Sequence, residues 1–308
     1  MIELNGLTKS FGSKRGVFDI DFSVPEGSIM GFIGHNGAGK STTFRILCGL
    51  MDADSGSASI AGLEVKPSNF KKIKETIGYM PDIFGVYDRM TVWEYLDFFG
   101  ATYRIPVKQR KKRIEAALEL ARSSHMLDYQ VASLSRGMRQ RIGLAKTILH
   151  DPQVLILDEP AGGLDPQARV EMREMIMSLR DLGKTIILSS HILPELGNVC
   201  DLVGIINKGY MEAFGSMHDI VQALKEKLTY VVSTESDTAV VAGLLREISE
   251  IDEVKEKGGE VIFSFSGARQ FSAEVLTYLV SKGMQITSFS EEEADLEEVF
   301  MKLAGGKK

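Results

Sequence analysis

From residue 1 to about 225, short all-apolar runs alternate with longer stretches whose apolar residues recur at steps of three and four. The runs Ile29–Ile33, Ile77–Met80, Val154–Leu157, Thr185–Leu188 and Leu202–Ile206 have the length and continuity of strands buried on both faces. Met172, Met175, Ile176 and Leu179 fall at 0, 3, 4 and 7, which predicts a helix over Ala168–Arg180 with one buried stripe. Ile114, Ala117, Leu118 and Ala121 repeat the spacing in a helix around Lys111–Ala121. Strands alternating with helices predict a covered α/β sheet. Between Tyr87 and Arg104 an aromatic-rich helical segment opens on Thr91-Val92-Trp93-Glu94, a capping-box pattern. Residues 87–147 therefore read as a helical insertion between two strands of that sheet.

The pattern changes after Gly215. Strand (Leu228–Ser233), helix (Val240–Ile248), strand (Val254–Lys257), strand (Glu260–Phe265), helix (Arg269–Ser281) and strand (Gln285–Phe289) follow one another. This βαββαβ order predicts a small α+β, ferredoxin-like domain. A last helix would carry Leu296, Val299, Phe300 and Leu303 on one face. The expected division is a domain over 1–225 and an accessory domain over 226–308, with no catalytic constellation in the second.

A length of 308 residues suits two domains, and 44% apolar with 25% charged residues is an ordinary globular composition. The net charge of −6 argues against a basic nucleic-acid-binding face. Cys48 and Cys200 are too few and too far apart for a disulfide framework or a metal cluster, and read as small core residues in a reducing compartment. No apolar run approaches a membrane span, and the chain opens on a strand, Met1–Leu4, without a signal-peptide pattern.

The chemistry starts at Gly34-His35-Asn36-Gly37-Ala38-Gly39-Lys40-Ser41, a complete G-x-x-x-x-G-K-[ST] loop between an apolar strand and the helical run Thr42–Leu50. Its glycines let backbone N–H groups turn in around a phosphate, and the helix adds its positive end. Lys40 supplies a charge for the β- and γ-phosphates, and Ser41 a hydroxyl for a Mg²⁺ shell. A second motif is Val154–Leu157 followed by Asp158 and Glu159, two carboxylates at the end of a buried strand. Ligands in open α/β sheets bind at such ends. Asp158 would complete the metal shell and Glu159 would polarise an attacking water. A third is Leu134-Ser135-Arg136-Gly137-Met138-Arg139-Gln140-Arg141, where Ser135 is a good N-cap and Gly137 lets a ligand approach the first turn. It reads as an anion site with no phosphate of its own chain left to bind.

In this order, GHNGAGKST, LSRGMRQR, VLILDEP, GGLD and SSH resemble the ATP-binding subunit of an ABC (ATP-binding cassette) transporter, over about residues 1–220. In that family two cassettes close head to tail over two ATPs. The resemblance implies that Ser135 and Gly137 reach the γ-phosphate bound by a partner, which answers the missing phosphate. Asp165, in Gly162-Gly163-Leu164-Asp165, matches the loop that crosses the dimer seam. His191 matches the switch histidine that holds the γ-phosphate and orients Glu159. Phe11 falls where the family stacks an aromatic ring on adenine, and Gly34, Asn36, Gly37, Ala38, Gly39, Lys40, Ser41 and Thr42 match its phosphate loop. Two positions depart. Asp82, in Tyr79-Met80-Pro81-Asp82, stands where the family usually has a metal-contacting glutamine, and Ala161-Gly162 replaces a usual Thr-Ser.

The resemblance implies ATP and Mg²⁺ as cofactors and a second ATP-binding subunit, identical or closely related. It also implies an integral membrane permease on another chain, which would hold this one at the cytoplasmic face of the cell membrane. The ending Asp295-Leu296-Glu297-Glu298-Val299-Phe300 resembles the C-terminal appendage of bacterial multidrug-type exporters. Phe84, Val86, Tyr87 and Trp93 are candidates for the wall that receives a permease helix, or for core. The competing classes are a soluble cassette ATPase acting on nucleic acid, ribosomes or other assemblies, and a nucleotide-controlled binding module. One cassette, no heptad block and an acidic balance disfavour the soluble machine, and the filled catalytic positions disfavour the binding module.

Overall fold

The computed structural model describes residues 1–12, 15–85, 87, 89–191, 199–217, 219–220, 228–268 and 270–292. The contacts divide the chain into two units. The first runs from Met1 to Ile220, and the second contains the last four described strands.

The first unit is built on two sheets. In chain order its strands are β1 (Ile2–Ser10), β2 (Gly16–Val24), β3 (Ile29–Ile33), β4 (Ser55–Ile60), β5 (Leu63–Glu64), β6 (Ile77–Met80), β7 (Val154–Leu157), β8 (Thr185–Ser190), β9 (Leu202–Asn207) and β10 (Tyr210–Ser216). The larger sheet has the order β10-β9-β3-β8-β7-β6. Its five strands from β9 to β6 are parallel, and β10 closes one edge antiparallel. All residues of β3 and β7 are buried, as their unbroken apolar runs require. The smaller sheet, β2-β1-β4-β5, is antiparallel. Apolar side chains of both sheets, among them Leu4, Ile20, Phe22, Phe32 and Ile156, share one core with the helix α1 (Lys40–Leu47).

After α2 (Phe70–Thr76), three helices intervene between β6 and β7: α3 (Val92–Thr102), α4 (Val107–Leu120) and α5 (Arg136–Ile148). The capping box at Thr91 forms, with the Glu94 amide donating to the Thr91 hydroxyl and the Thr91 amide to the Glu94 carboxylate. The helix α6 (Pro166–Asp181) buries Met172, Met175, Ile176 and Leu179, the stripe its spacing predicts. Arg141 of α5 pairs with Glu171 of α6, and Arg122 with Glu174 at 2.6 Å, so two ion pairs brace the insertion against the α/β core.

The second unit runs β11 (Leu228–Thr234), α7 (Thr238–Arg246), β12 (Ile251–Lys257), β13 (Glu260–Phe265), α8 (Phe271–Ser281) and β14 (Ile286–Glu291). Its antiparallel sheet has the order β12-β13-β11-β14. With two helices between its strands, that is the ferredoxin-like arrangement of a βαββαβ chain. Tyr230, Phe263, Phe265 and Phe289 form an aromatic cluster in its core, with ring centroids 5.2–6.2 Å apart. The helix predicted around Leu296–Leu303 lies outside the described residues.

Candidate functional site: a phosphate-loop cleft at the ends of the parallel strands

The phosphate loop leaves the carboxyl end of β3 and enters α1. Gly37 and Gly39 hold φ of +83° and +121°, a region side chains rarely adopt. A β-carbon on Gly39 would also stand 2.5 Å from Val17 Cγ1, so glycine is required there on two counts. The loop is fixed from outside by distant chain: the Gly34 amide donates to the Ser190 carbonyl (3.4 Å), and the Gly209 amide to the Ala38 carbonyl (2.9 Å). Lys40 is buried, its ammonium donating to the carbonyls of Gly34 (2.5 Å) and His35 (3.3 Å).

The neighbouring strands bring the other groups. β8 lies next to β3 and β7 next to β8, all parallel, so His191 and the Asp158-Glu159 pair emerge at the same sheet end, with Asp82 following β6 beyond them. Glu159 Oε1 stands 3.3 Å from Lys40 Nζ, and Oε2 accepts from His191 Nδ1 at 2.9 Å. Oε1 is buried and, among the described residues, accepts no hydrogen bond. The Lys40 contact therefore has ion-pair distance without hydrogen-bond alignment. Glu159 itself holds φ +50°, an uncommon conformation for a residue with a side chain.

Asp158 is 3% exposed, and its Oδ1 accepts from the Ser189 hydroxyl at 2.7 Å. The same hydroxyl accepts from the Glu159 amide at 2.8 Å. Ser189 thus ties the two carboxylate residues together, a job that nothing in the pattern Ser189-Ser190-His191 announced. Cys48, on the C-cap of α1, is buried, and its thiol pKa is pushed up by burial and by the nearby Asp158 charge.

A cleft of about 530 Å³ opens over the loop. Of the residues singled out from the sequence, Phe11, Asn36, Gly37, Gly39, Lys40, Ser41, Thr42, Asp82 and Glu159 line it. Gly34 and Ala38 are buried behind its wall. His35 of the loop motif lines the cleft as well, as do Arg15, Gly16 and Lys208, which carried no earlier signal. Asp158 and His191, joined to it through Ser189 and Glu159, do not line it, and neither do Ser135, Gly137 and Asp165. Ser135 caps α5 by accepting from the Met138 amide (3.3 Å), and Asp165 caps α6 by accepting from the Ala168 amide (2.9 Å). Val86 falls outside the described residues, and Tyr87 is half exposed beside Phe98, at 5.4 Å between ring centroids.

Two family models match the chain: ABC transporter over residues 17–162, and the C-terminal domain of ATP-binding proteins like DrrA1-3 over residues 215–304. The linearmycin resistance ATP-binding protein LnrL of Bacillus subtilis (strain 168) is 31% identical, with 99% of this chain and 98% of that protein aligned. This chain belongs to the ATP-binding subunits of ABC transporters. The bacitracin transport ATP-binding protein BcrA of Bacillus licheniformis is 34% identical, over 99% of this chain and 98% of its own length. A bacterial ABC transporter cassette solved as a dimer shares the fold, with a TM-score of 0.64 at 22% identity, covering 70% of this chain and 99% of that one. As a member of the family, the chain is an ATP-binding ATPase that powers transport.

Proposed function

We propose that two such subunits, identical or closely related, close head to tail over two Mg²⁺-bound ATP molecules and drive export through a separate membrane-spanning partner. The observation that carries this reading is Glu159 Oε1, buried at ion-pair distance from Lys40 and accepting no hydrogen bond among the described residues, while Oε2 is held by His191. A carboxylate oxygen with a free lone pair, fixed next to the phosphate cradle, suits a general base that orients and deprotonates the attacking water. A carboxylate only accepts, so His191 Nδ1 carries the proton between them and keeps Oε2 occupied. Lys40 and the backbone amides of Gly37–Ser41 would steady charge on the transferred phosphoryl group.

The residues fit the metal. Ser41, Asp158 and Asp82 offer only oxygen ligands, and among the described residues no cluster of three or more His, Cys, Asp or Glu could hold a metal alone. Mg²⁺ is commonly held by one or two carboxylates together with substrate phosphates. When bound, it would neutralise charge on the β- and γ-phosphates.

Head-to-tail closure is supported by Ser135 and Gly137, which belong to the family's signature segment yet stand apart from the cleft of their own chain. Asp165, at the seam-crossing loop, joins them in that reading. Export is supported by the resistance and transport functions of the relatives. Ile83, Tyr87 and Phe98, exposed beside the Asp82 loop, suit a surface that receives the partner at the inner face of the membrane. Among the described residues no helix is long and apolar enough to cross a membrane. Among its described residues the second unit shows no catalytic cluster, and in this reading it serves as an accessory domain.

Glu159→Gln tests the core of the proposal. It should keep ATP binding, lower turnover by about 10²–10⁴-fold, and accumulate as an ATP-bound dimer on size exclusion. Steady-state turnover close to wild type would remove Glu159 from the reaction.

A further inference from the structure

The start of α5 touches the turn at residues 161–164 in two places. At Gly137, a β-carbon would lie 3.8 Å from both Leu164 Cδ2 and Ala168 Cβ, an ordinary packing distance. Arg136, the first helical residue, lays its guanidinium against Gly162 and Gly163. A β-carbon on Gly163 would stand 2.6 Å and 2.7 Å from its two terminal nitrogens, so any side chain there must push the guanidinium away. The φ of +66° at Gly163 asks for glycine independently.

Arg136 is exposed, and among the described residues it has no hydrogen bond or ion pair. A cation in the first turn of a helix also works against the helix dipole. Neither pairing nor capping explains the residue, whereas its seat on the glycine pair does. That pair leads straight to the catalytic carboxylate, because the Gly162 amide donates to the Glu159 carbonyl at 3.0 Å. The far side of the same turn is fixed by Arg169 Nε, which donates to the Leu164 carbonyl at 2.9 Å. Arg136 therefore bears on a short, glycine-rich link whose other end sets the backbone of Glu159.

We propose that Arg136 is a positioning residue for hydrolysis, acting through Gly163 and Gly162 on Glu159 of its own chain. The proposal rests on the head-to-tail reading, in which Ser135 beside it meets the ATP of the partner. Closure on that ATP presses Arg136 onto the glycine pair and sets Glu159 for the ATP bound in its own cleft. Each site then reports its occupancy to the other through one guanidinium.

The test uses the full chain. Arg136→Ala should leave ATP affinity and KM unchanged and lower kcat by about tenfold. That is less than the roughly 100-fold cost of misplacing a reacting group by 1 Å, because Arg136 acts at one remove. Gly163→Ala should lower kcat at least as much, and the double variant should lose no more than Gly163→Ala alone. Losses that multiply, or an Arg136→Ala kcat within twofold of wild type, would overturn the proposal. Arg136→Ala alters only an exposed side chain, so its kcat decides the matter even where Gly163→Ala fails to fold. ATP-dependent dimerisation of Glu159→Gln, alone and combined with Arg136→Ala, separates the two ideas. Both should dimerise. Failure of Glu159→Gln alone overturns the head-to-tail reading and the proposal with it. A dimer lost only in the combined variant makes Arg136 an interface anchor and overturns the positioning role.

Discussion

Replacing Ser189 by alanine removes one hydroxyl and leaves two groups without a partner. Its Oγ donates to Asp158 Oδ1 at 2.7 Å and accepts from the Glu159 amide at 2.8 Å. Asp158 and Ser189 are 3% and 1% exposed, so bulk water does not substitute. A hydrogen bond to a charged group contributes about 1.5–3 kcal/mol and a neutral one about 1 kcal/mol. The expected loss of stability is therefore about 3 kcal/mol, and at about 2–4 °C per kcal/mol the melting point should fall by roughly 6–12 °C. The chain has one tryptophan, Trp93 in α3, so its fluorescence follows unfolding of the unit that holds the site. Urea titrations monitored at Trp93 give the stability change, and turnover should fall with it because the Glu159 backbone loses its tether. With Asp158→Asn as the background, the lost bond is neutral and the cost of Ser189→Ala should shrink to about 2 kcal/mol. A loss below about 1 kcal/mol in the otherwise native chain would refute the double role of this hydroxyl.

Three further outcomes are expected. Asp82→Asn keeps size and turn chemistry while deleting a charge from the cleft, so the Mg²⁺ dependence of ATPase activity should shift with folding unchanged; an unaltered titration would leave Asp82 as a turn residue. Lys40→Ala and Gly137→Trp subunits, each inactive alone, should recover turnover when mixed, because one composite site is then intact; verified heterodimers without activity would argue against sharing between chains. His150 donates from Nε2 to the Ile77 carbonyl (2.9 Å) and stacks on Tyr103, and burial pulls its pKa below the usual 6.5. Folding therefore holds it neutral while the unfolded chain takes up a proton below about pH 6.5, so stability is untouched above that pH and declines as pH falls beneath it. His150→Gln, which keeps a donor, should remove up to about 1.4 kcal/mol per pH unit of that decline, measured by urea unfolding at pH 7.5 and 5.5.

The parallel strands could be read from the sequence because burial on both faces leaves an unbroken apolar run, as in Val154–Leu157. Of the smaller sheet only the start of β1 could, as the strand Met1–Leu4. In β2 the bulge at Asp19, with φ +52°, puts the buried Val17 and Ile20 three residues apart and breaks the two-residue rhythm. In β4 only Ala58 and Ile60 are buried, so Ser55–Ser57 look like a turn. The first helix starts at Lys40, two residues earlier than its apolar pattern, because the phosphate loop itself supplies the N-terminus. The phosphate loop and the paired carboxylates were legible because their spacing encodes local geometry. Ser189, Arg15 and Lys208 were not, since their positions depend on which strands become neighbours. Asp165 and Ser135 have a visible duty as helix caps within one chain. Any duty across a seam leaves no mark on the geometry of a single copy.

The hydrogen bond from the Gly209 amide to the Ala38 carbonyl has a consequence for biosynthesis. The loop that grips the nucleotide is encoded near the start of the chain, but its brace is made after some 170 further residues have been added. At about 5–20 residues per second, translation takes roughly 10–35 s to cover that distance. During that interval the nascent chain carries every glycine of the loop without the hairpin that holds it in shape. Nucleotide competence should therefore rise once the β9–β10 hairpin is free to dock, because only then is the Ala38 carbonyl held.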